Sequence, residues 1–410
     1  MKTPLERFLK YVQFETTSCE NSTTHPSTST QFELAKYLVE ELKELGLQNA
    51  KVDEHCYVTA SLKTNVLDRN VPTIGFIAHL DTSCAASGKN VKPKIIEYQG
   101  GDVALENGTV IPETEELKKL VGRHLVVTDG ATLLGADDKA GIAAIMAALE
   151  HIIASDRPYA NIKVCFTPDE EIGAGADFFD LVGFGADYAY TVDGGAGGEI
   201  NGETFTADKA TLTVVGFDVH PGEAKNAMVN AGRVLAQIVA LLPLDRTPET
   251  TEGREPFVHL YDMEGGVSQA SAHFLLRSFD ENERKINKQI LIDAVEQALS
   301  RLKQSMGSAL EACKYHVKFQ QQYLNMGYFL KKTPEVLDKL EQAAKNVGLA
   351  PQWIPIRGGT DGSRLTEMGL PTPNLFTGGY NFHSVTEFLV IEENEQATAT
   401  LVELASLWTE

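Results

Sequence analysis

The sequence predicts an α/β fold, a doubly wound mixed-sheet domain into which a smaller α+β domain of ferredoxin-like topology is inserted. Short, nearly continuous apolar runs alternate with helical patterns over most of the chain. Such runs are typical of strands that are buried on both faces of a helix-covered sheet. Acidic residues and histidines follow the runs, and ligands bind beyond the carboxyl ends of strands in folds of this class. The same pattern therefore predicts the fold and the place of a functional site.

Four apolar runs are the predicted core strands of the sheet. Helical patterns over residues 31–45, 141–153, 334–349 and 391–408 alternate with them, which predicts the doubly wound arrangement. Each run leads to residues that can carry chemistry: 73–78 to His79 and Asp81, 162–167 to Asp169, Glu170 and Glu171, 188–192 to Asp193, and 373–376 to His383.

A different pattern fills residues 209–323. Its segments follow the order β-α-β-β-α-β, which is the order of a ferredoxin-like domain. An outer domain formed by residues 1–208 and 324–410 and an inserted domain formed by residues 209–323 are therefore predicted. The inserted segments are strand 211–219, helix 228–242, strands 256–263 and 269–279, helix 282–306 and strand 313–319.

The composition excludes several classes of function. The chain has 36 Lys and Arg against 57 Asp and Glu, a net charge of −21, and no basic cluster. Binding to nucleic acid or to an anionic membrane surface is therefore not expected. The longest uncharged apolar stretches, 140–149 and 234–244, are shorter than the ~20 residues of a membrane helix. A charged N-terminus and five scattered cysteines predict a cytoplasmic protein with reduced thiols.

Two motifs contain residue types that bind divalent cations. His79 and Asp81 are two positions apart on an extended chain, so both side chains lie on one side. The imidazole can then bind a metal while the carboxylate orients it, although a structural pair is the alternative for this motif alone. Asp137 and Asp138 open a helix, where a carboxylate can bridge two cations or simply favour the helix N-terminus.

Carboxylates follow two further strands. Glu170 and Glu171 repel one another unless cations or solvent relieve them, so one is predicted to bind a metal and the other to be a general base. A solvated loop is the alternative. The glycines after Asp193 lack the spacing of a nucleotide-binding loop and are interpreted as a tight turn beside a carboxylate ligand. His383 taken alone is more typical of a structural histidine than of a ligand.

Taken together, these histidines and carboxylates suit Zn²⁺, Mn²⁺ or Co²⁺, and no cysteine is placed to bind them. Two cations ~3.5–4 Å apart would need a bridging carboxylate and would activate a shared water. A two-cation site is therefore predicted at the strand ends.

At these motifs the chain resembles the di-zinc metallopeptidase family that holds aminoacylases, succinyl-diaminopimelate desuccinylase and glutamate carboxypeptidases, and within it the tripeptide aminopeptidases. The resemblance covers essentially the whole chain. Three segments, 190–195, 356–362 and 376–383, indicate the tripeptide aminopeptidases in particular. The complete set of matching segments is 75–83, 134–141, 166–171, 190–195, 219–222, 356–362 and 376–383.

The resemblance implies a role for each residue of the predicted site. Asp137 is chosen over Asp138 as the bridge because the family's metal-binding aspartate lies two residues before the lysine, here Lys139. The implied roles are His79 and Asp193 as ligands of one zinc, Glu171 and His383 as ligands of the other, Asp137 as the bridge, Asp81 behind His79, and Glu170 as the general base.

By the same resemblance the inserted domain is a lid that also makes the contact of a homodimer. His220, in a His-Pro-Gly turn, would stabilise the tetrahedral oxyanion, either from the partner subunit or by closure of the lid of its own chain. Arg277 and Arg357 would bind a peptide carboxylate, with structural ion pairing as the alternative. Asn230 would bind the substrate backbone.

The function implied is that of a cytoplasmic aminopeptidase that contains two Zn²⁺, with Mn²⁺ or Co²⁺ as substitutes, and removes the N-terminal residue from tripeptides. One rival is a related amide hydrolase, a dipeptidase or an N-acyl-amino-acid deacylase. The other is a non-enzymatic metal- or peptide-binding protein, which would be expected to have lost Glu170 or a metal ligand, and neither is missing.

Overall fold

The computed structural model describes the backbone of residues 1–410 and all side chains except that of Ser308. The chain divides into two compact units. The first unit comprises Met1–Gly202, Met326–Ile354 and Thr360–Glu410, and the second unit comprises Glu203–Asn325 and Pro355–Gly359. The second unit is therefore inserted in the first, and a short segment before residue 360 belongs to it as well.

The strands, numbered in chain order, are β1 (Gln48–Val52), β2 (Val58–Leu62), β3 (Thr73–His79), β4 (Lys94–Glu97), β5 (Val103–Ala104), β6 (Val110–Ile111), β7 (His124–Val127), β8 (Asn161–Thr167), β9 (Tyr188–Gly194), β10 (Glu199–Asn201), β11 (Thr206–Val215), β12 (Phe257–Gly265), β13 (Gln269–Ser278), β14 (Lys314–Tyr323), β15 (Gln352–Trp353), β16 (Asn374–Phe376), β17 (Gly379–Tyr380) and β18 (Phe388–Val390).

The α-helices are α1 (Pro4–Tyr11), α2 (Gln31–Glu44), α3 (Glu115–Lys118), α4 (Ala136–Ala154), α5 (Leu181–Phe184), α6 (Ala231–Val239), α7 (Glu281–Met306), α8 (Gly327–Leu330), α9 (Glu335–Asn346), α10 (Asp361–Met368) and α11 (Ile391–Leu407). Short 3₁₀ helices cover Glu170–Ile172, Pro221–Glu223 and Gly307–Ala312.

An eight-stranded mixed sheet in the order β1-β2-β8-β3-β9-β16-β10-β15 forms the centre of the first unit. Its four middle strands, β8, β3, β9 and β16, are parallel, whereas β2 and β10 run antiparallel to their middle neighbours. These middle strands are the four apolar runs of the sequence, so their prediction is confirmed. Because they are parallel, their carboxyl ends meet at one edge of the sheet.

Helix α4 contacts β3 and β9 of this sheet as well as α1 and α11. Every residue from Ala140 to Leu149 is buried, which explains a helix without a polar face. A Cβ at Gly141 would lie 1.9 Å from the carbonyl oxygen of Val192, so only glycine permits this close approach to β9. None of the helices in the described part of the chain is both long and apolar enough to cross a bilayer.

A second sheet of the first unit has the order β17-β18-β7-β4, and all its neighbouring strands are antiparallel. The sequence pattern did not predict it, because its strands have only two to four residues and carry no clear alternation. The pairing of β7 with β18 joins segments more than 250 residues apart and brings the loop after β7 close to the residues that precede β18.

The second unit contains an antiparallel sheet in the order β12-β13-β11-β14, with α6 and α7 packed on one face. This strand order confirms the predicted ferredoxin-like topology. Leu212, Val234, Phe274 and Val295 are buried in the shared core. Strand β11 begins earlier than predicted, at Thr206, because its pairing with β13 continues to the end of that strand at Ser278.

Asp208 is a buried carboxylate of β11 that binds two cations of α7. It is 1% exposed, and its oxygens lie 2.7 and 2.9 Å from the Arg284 guanidinium and 3.0 Å from Lys288 Nζ. Burial alone would raise the pKa of Asp208, but the hydrogen bonds from Arg284 and Lys288 outweigh it and hold the pKa below its ordinary value. The ion pair therefore joins helix and sheet most strongly when Asp208 is charged.

Asp208→Asn is expected to lower the free energy of unfolding by about 2–3 kcal/mol at pH 7, since it leaves two cations without their carboxylate. Because the pKa of Asp208 is lower in the folded chain, its charged carboxylate contributes its full stabilisation at pH values above the unfolded-state pKa of ~3.9. This contribution is lost as the pH falls through the folded-state pKa. The difference from the native chain should thus shrink in acid, as measured by urea denaturation at several pH values. Asp262→Asn, on the exposed part of β12, is the matched control. An equal destabilisation at pH 7 and at pH 3 would contradict this account.

Candidate functional site

Histidines and carboxylates cluster in the first unit where β3, β8 and β9 end. His79 is the last residue of β3, Asp193 is the next-to-last residue of β9, and Glu170 and Glu171 follow β8 after two residues. Parallel pairing of β3 with both neighbours brings these ends together. The cluster therefore lies at the edge of the sheet where the sequence predicts a functional site.

His79 is buried, and its two ring nitrogens face different partners. Nδ1 lies 3.0 Å from the backbone oxygen of Asp81 and 3.3 Å from Asp81 Oδ1. Nε2 lies 2.8 Å from Asp137 Oδ1 and 3.5 Å from Asp193 Oδ1. One nitrogen is thus engaged by the neighbouring segment, and the other faces the carboxylates of the cluster.

Asp81 has a second role that the sequence did not reveal. Its fully buried carboxylate accepts the backbone N–H groups of Glu170 and Glu171, at 3.0 and 3.2 Å. A single side chain therefore contacts His79 and also fixes the turn that carries both glutamates.

His383 completes the cluster from a loop after β17. Its Nε2 lies 2.7 Å from Glu171 Oε2 and 3.2 Å from Asp137 Oδ2. Asp137 thus presents one oxygen to each histidine. Burial alone would raise the pKa of Asp137, but hydrogen bonds from His383 and His79 outweigh burial and hold this pKa below its ordinary value. The other oxygen of Glu171, Oε1, is buried and has no hydrogen-bond partner among the described residues.

The neighbouring Asp138 is bound by backbone groups. Its Oδ2 accepts the N–H of His79 at 3.0 Å, and its Oδ1 accepts the N–H of Gly141 at 3.2 Å. The peptide bond between Asp137 and Asp138 is cis. The carboxylate of Asp137 contacts two imidazoles, whereas the carboxylate of Asp138 contacts backbone N–H groups.

Glu170 begins a short 3₁₀ helix, and the residue before it, Asp169, has a left-handed φ of +56°. Asp169 is buried and accepts hydrogen bonds from Ser27 and Gln31 of the N-terminal segment. Burial, reinforced by the charge of Asp193, raises the pKa of Glu170. A carboxyl group in such a place is suited to accept a proton and return it.

Two sets of three side chains have ligand atoms within 4.8 Å of one another, namely His79, Asp137 and Glu171, and His79, Asp138 and Asp193. Imidazole nitrogens and carboxylate oxygens are the donors that Zn²⁺, Mn²⁺ and Co²⁺ accept. The unpartnered oxygen of Glu171 and the two-sided position of Asp137 also fit a pair of cations. The donor set therefore fits the predicted metal centre.

The other predicted site residues lie in the second unit. His220 is exposed, and its Nδ1 accepts the N–H of Gly222 at 3.2 Å. Asn230 caps the N-terminus of α6, where its side-chain oxygen accepts the N–H of Arg233 at 3.1 Å. Both side chains thus have local structural contacts, and the cap explains why α6 begins at Ala231.

The guanidinium groups of Arg277 and Arg357 lie over aromatic rings of the second unit, and neither forms an ion pair with a carboxylate among the described residues. Arg277 Nη1 donates to the backbone oxygens of Asp208 and Leu276 at 3.4 and 3.2 Å. Arg357 donates three hydrogen bonds to the loop 251–255, at 2.8 to 3.0 Å. Structural ion pairing was the alternative role of these two arginines. Hydrogen bonds to backbone and hydroxyl oxygens hold them instead.

Sequence reasoning missed several buried carboxylates around the site. Asp361, the first residue of α10, accepts a hydrogen bond of 2.6 Å from Thr167, the last residue of β8. Burial raises the pKa of Asp361 to about 7. Glu387 is bound to the loop before α4. The only sequence feature that could have indicated a role for Glu387 is its position four residues after His383. This spacing does not show which backbone groups the side chain binds.

A sheet whose parallel strand ends gather two histidines and several carboxylates beside a half-buried glutamate defines the class of metal-dependent hydrolases. The sequence profile of peptidase family M20/M25/M40 matches residues 112–407, and the chain belongs to this family.

Particular relatives agree with this membership. The chain is 45% identical over 414 residues to Peptidase T of Clostridium perfringens, with 100% of both chains covered. It is similar in fold to the aminopeptidase PepT from Bacillus cereus, with a TM-score of 0.75 and 22% identity over 99% of this chain and 98% of that one. A tripeptidase from Staphylococcus aureus gives a TM-score of 0.76 and 23% identity over 99% and 97%.

Proposed function

We propose that the protein is a tripeptide aminopeptidase that works with two divalent metal ions. The observation that carries the proposal is the convergence of two histidines and two further carboxylates, Glu171 and Asp193, around Asp137, which faces both imidazoles. Full-length similarity to Peptidase T, at 45% identity, supports the substrate class. Short peptides with a free N-terminus are the proposed substrates, and the proposed location is the cytoplasm.

His79 and Asp193 would hold one cation and Glu171 and His383 the other, with Asp137 shared between them. When bound, the cations supply a water of lowered pKa and polarise the scissile carbonyl. Zn²⁺ is the proposed metal, with Mn²⁺ or Co²⁺ as substitutes. The contacts of Asp81 with His79 Nδ1 support its role in orienting that ligand.

Glu170 is the proposed general base and acid. It accepts a proton from water as the water oxygen bonds to the carbonyl carbon of the first peptide bond. It then donates this proton to the departing amine as the C–N bond breaks, which yields the free amino acid and a dipeptide. The Asp81 hydrogen bond to the Glu170 N–H supports this role, because it fixes the start of the turn that carries the side chain.

The second unit would be the lid and the dimer contact of a homodimer. His220 would stabilise the oxyanion of the tetrahedral intermediate, Arg277 and Arg357 would bind the peptide carboxylate, and Asn230 would contact the substrate backbone. The absence of a carboxylate partner within the described residues supports this for the two arginines. The hydrogen bonds of Arg357 to the loop 251–255 give it a supporting role there as well.

The proposed function is tested with protein loaded separately with Zn²⁺, Mn²⁺ or Co²⁺ and a panel of di-, tri- and tetrapeptides, each with a free or an acetylated N-terminus. We expect release of the N-terminal residue from unblocked tripeptides and little turnover of the rest. Preferred hydrolysis of acetylated substrates would instead indicate a deacylase, and preferred hydrolysis of dipeptides a dipeptidase. Metal binding without hydrolysis of any substrate would indicate a binding protein.

Glu170→Ala is expected to lower kcat by at least ~10²–10⁴-fold, because the reaction loses its proton carrier. Both metal ions should remain bound, since Glu170 is not a proposed ligand. The measurements are steady-state kinetics on a tripeptide and metal analysis of the same sample. Near-normal turnover with full metal content, or the loss of one ion, would show that the two glutamates have been assigned the wrong roles.

Asp137→Asn is expected to weaken the binding of both cations, because this carboxylate faces both histidines. Asp138→Asn is the matched comparison, since that side chain accepts backbone N–H groups, and it should retain most of the metal. Titration of metal-free protein with Zn²⁺ in competition with a chelator gives both affinities. The reverse order of the two variants would make Asp138 the bridge.

His220→Ala should lower kcat by ~10²–10³-fold with unchanged metal content, as expected for loss of an oxyanion donor. If the histidine acts from the partner subunit, a mixture of His220→Ala and Glu170→Ala proteins should regain activity, because a mixed dimer has one complete site. Subunit exchange is verified with differently labelled chains. Exchange without any regain would exclude delivery from the partner, and full activity of His220→Ala alone would make it a turn residue only.

A further inference from the structure

Glu387 is a buried glutamate that the proposed reaction does not use. It is 2% exposed, and it lies four residues after His383 and directly before β18. A tight turn separates it from the histidine, since the N–H of Glu387 donates to the backbone oxygen of Ser384 at 3.1 Å. The backbone position of Glu387 is thus tied to the loop that presents His383.

Both carboxylate oxygens of Glu387 bind the segment that presents Asp137. Oε2 accepts the N–H groups of Leu134 and Gly135, each at 2.8 Å, and Oε1 accepts the N–H of Asp137 itself at 2.9 Å. Leu134 and Gly135 lie directly before α4 and Asp137 lies in its first turn, and backbone N–H groups at the start of a helix have no partner within the helix. Here an internal side chain satisfies them instead of water or a ligand.

The sheet explains why these segments meet. Strand β18 pairs antiparallel with β7, in the register Leu389 with Val126 and Val390 with Leu125. The chain leaving β7 therefore passes the residues that enter β18. That chain continues through the loop to α4 and Asp137, and Glu387 is in the right place to bind it.

We propose that Glu387 is a positioning residue that sets the separation of Asp137 and His383, two metal ligands that are 246 positions apart in the chain. The inference rests on the proposed metal centre. Three hydrogen bonds to one buried carboxylate hold the backbone of the bridging aspartate, and the tight turn after His383 holds the second ligand relative to the same carboxylate. Without the Glu387 carboxylate, the loop after β7 and the loop before β18 remain attached to their strands, but the hydrogen bonds that join the two loops are lost.

The test compares metal binding in the native chain, Glu387→Gln and Glu387→Asp. Glutamine has the same size, but its amide group places N–H donors opposite backbone N–H donors, and aspartate keeps the charge on a shorter side chain. We expect Glu387→Gln to bind at least one Zn²⁺ ~10–100-fold more weakly in chelator competition, as for other partners of metal ligands. The visible absorption of the Co²⁺-loaded protein should change in intensity, and Glu387→Asp should recover part of the lost affinity.

Glu41→Gln is the matched control, because Glu41 is also a buried glutamate but binds Arg7 and Tyr11 of α1, away from every proposed ligand. It should lower the melting temperature and leave the Zn²⁺ affinity and the Co²⁺ spectrum unchanged. Should Glu387→Gln fail to fold, Glu387→Asp carries the same comparison.

The outcomes separate this inference from the proposed function. A Glu387→Gln protein, or failing that a Glu387→Asp protein, with native Zn²⁺ affinity and a native Co²⁺ spectrum but a lower melting temperature overturns the inference, since Glu387 would then only cap α4. A native chain that binds no divalent cation overturns the proposed function and the inference together. Weaker binding in Glu387→Gln but not in Glu41→Gln supports the inference.

Discussion

Repulsion between carboxylates is the constraint around which the first unit is organised. Asp137, Glu171 and Asp193 all lie at one edge of one sheet, within hydrogen-bonding or ion-pairing reach of two imidazoles. Buried like charges at such distances destabilise one another unless cations compensate them. A fold that brings these carboxylates together must therefore hold each of them rigidly in place. A bound cation would relieve their repulsion.

That support comes from a second set of carboxylates, which face the backbone instead of the site. Asp81 binds the N–H groups of two glutamates, Asp138 binds those of His79 and Gly141, and Glu387 binds three at the start of α4. A backbone N–H donates to a carboxylate oxygen without adding a mobile charge. Acids therefore perform two tasks here: one set faces the histidines, and the other fixes the loops from which the first set projects.

The sequence could predict the first set but hardly the second. His79, Asp193 and the Glu170-Glu171 pair end buried apolar strands, so local pattern is enough to place them at one sheet edge. The partners of Glu387 lie about 250 positions away, and they meet it only through the pairing of the short strands β7 and β18. No local signal predicts such a pairing. The second role of Asp81 was hidden for the same reason, because a motif shows which residue types are present but not which backbone groups they face.

The division of the chain separates metal binding from recognition of the substrate in the proposed function. Every proposed metal ligand, and every carboxylate found to hold one, belongs to the first unit, and their hydrogen bonds are made within that unit. The proposed substrate contacts from His220, Asn230, Arg277 and Arg357 belong to the second. In the proposed function, changes in the second unit would therefore alter which amide substrate is bound without disturbing the residues proposed to activate water.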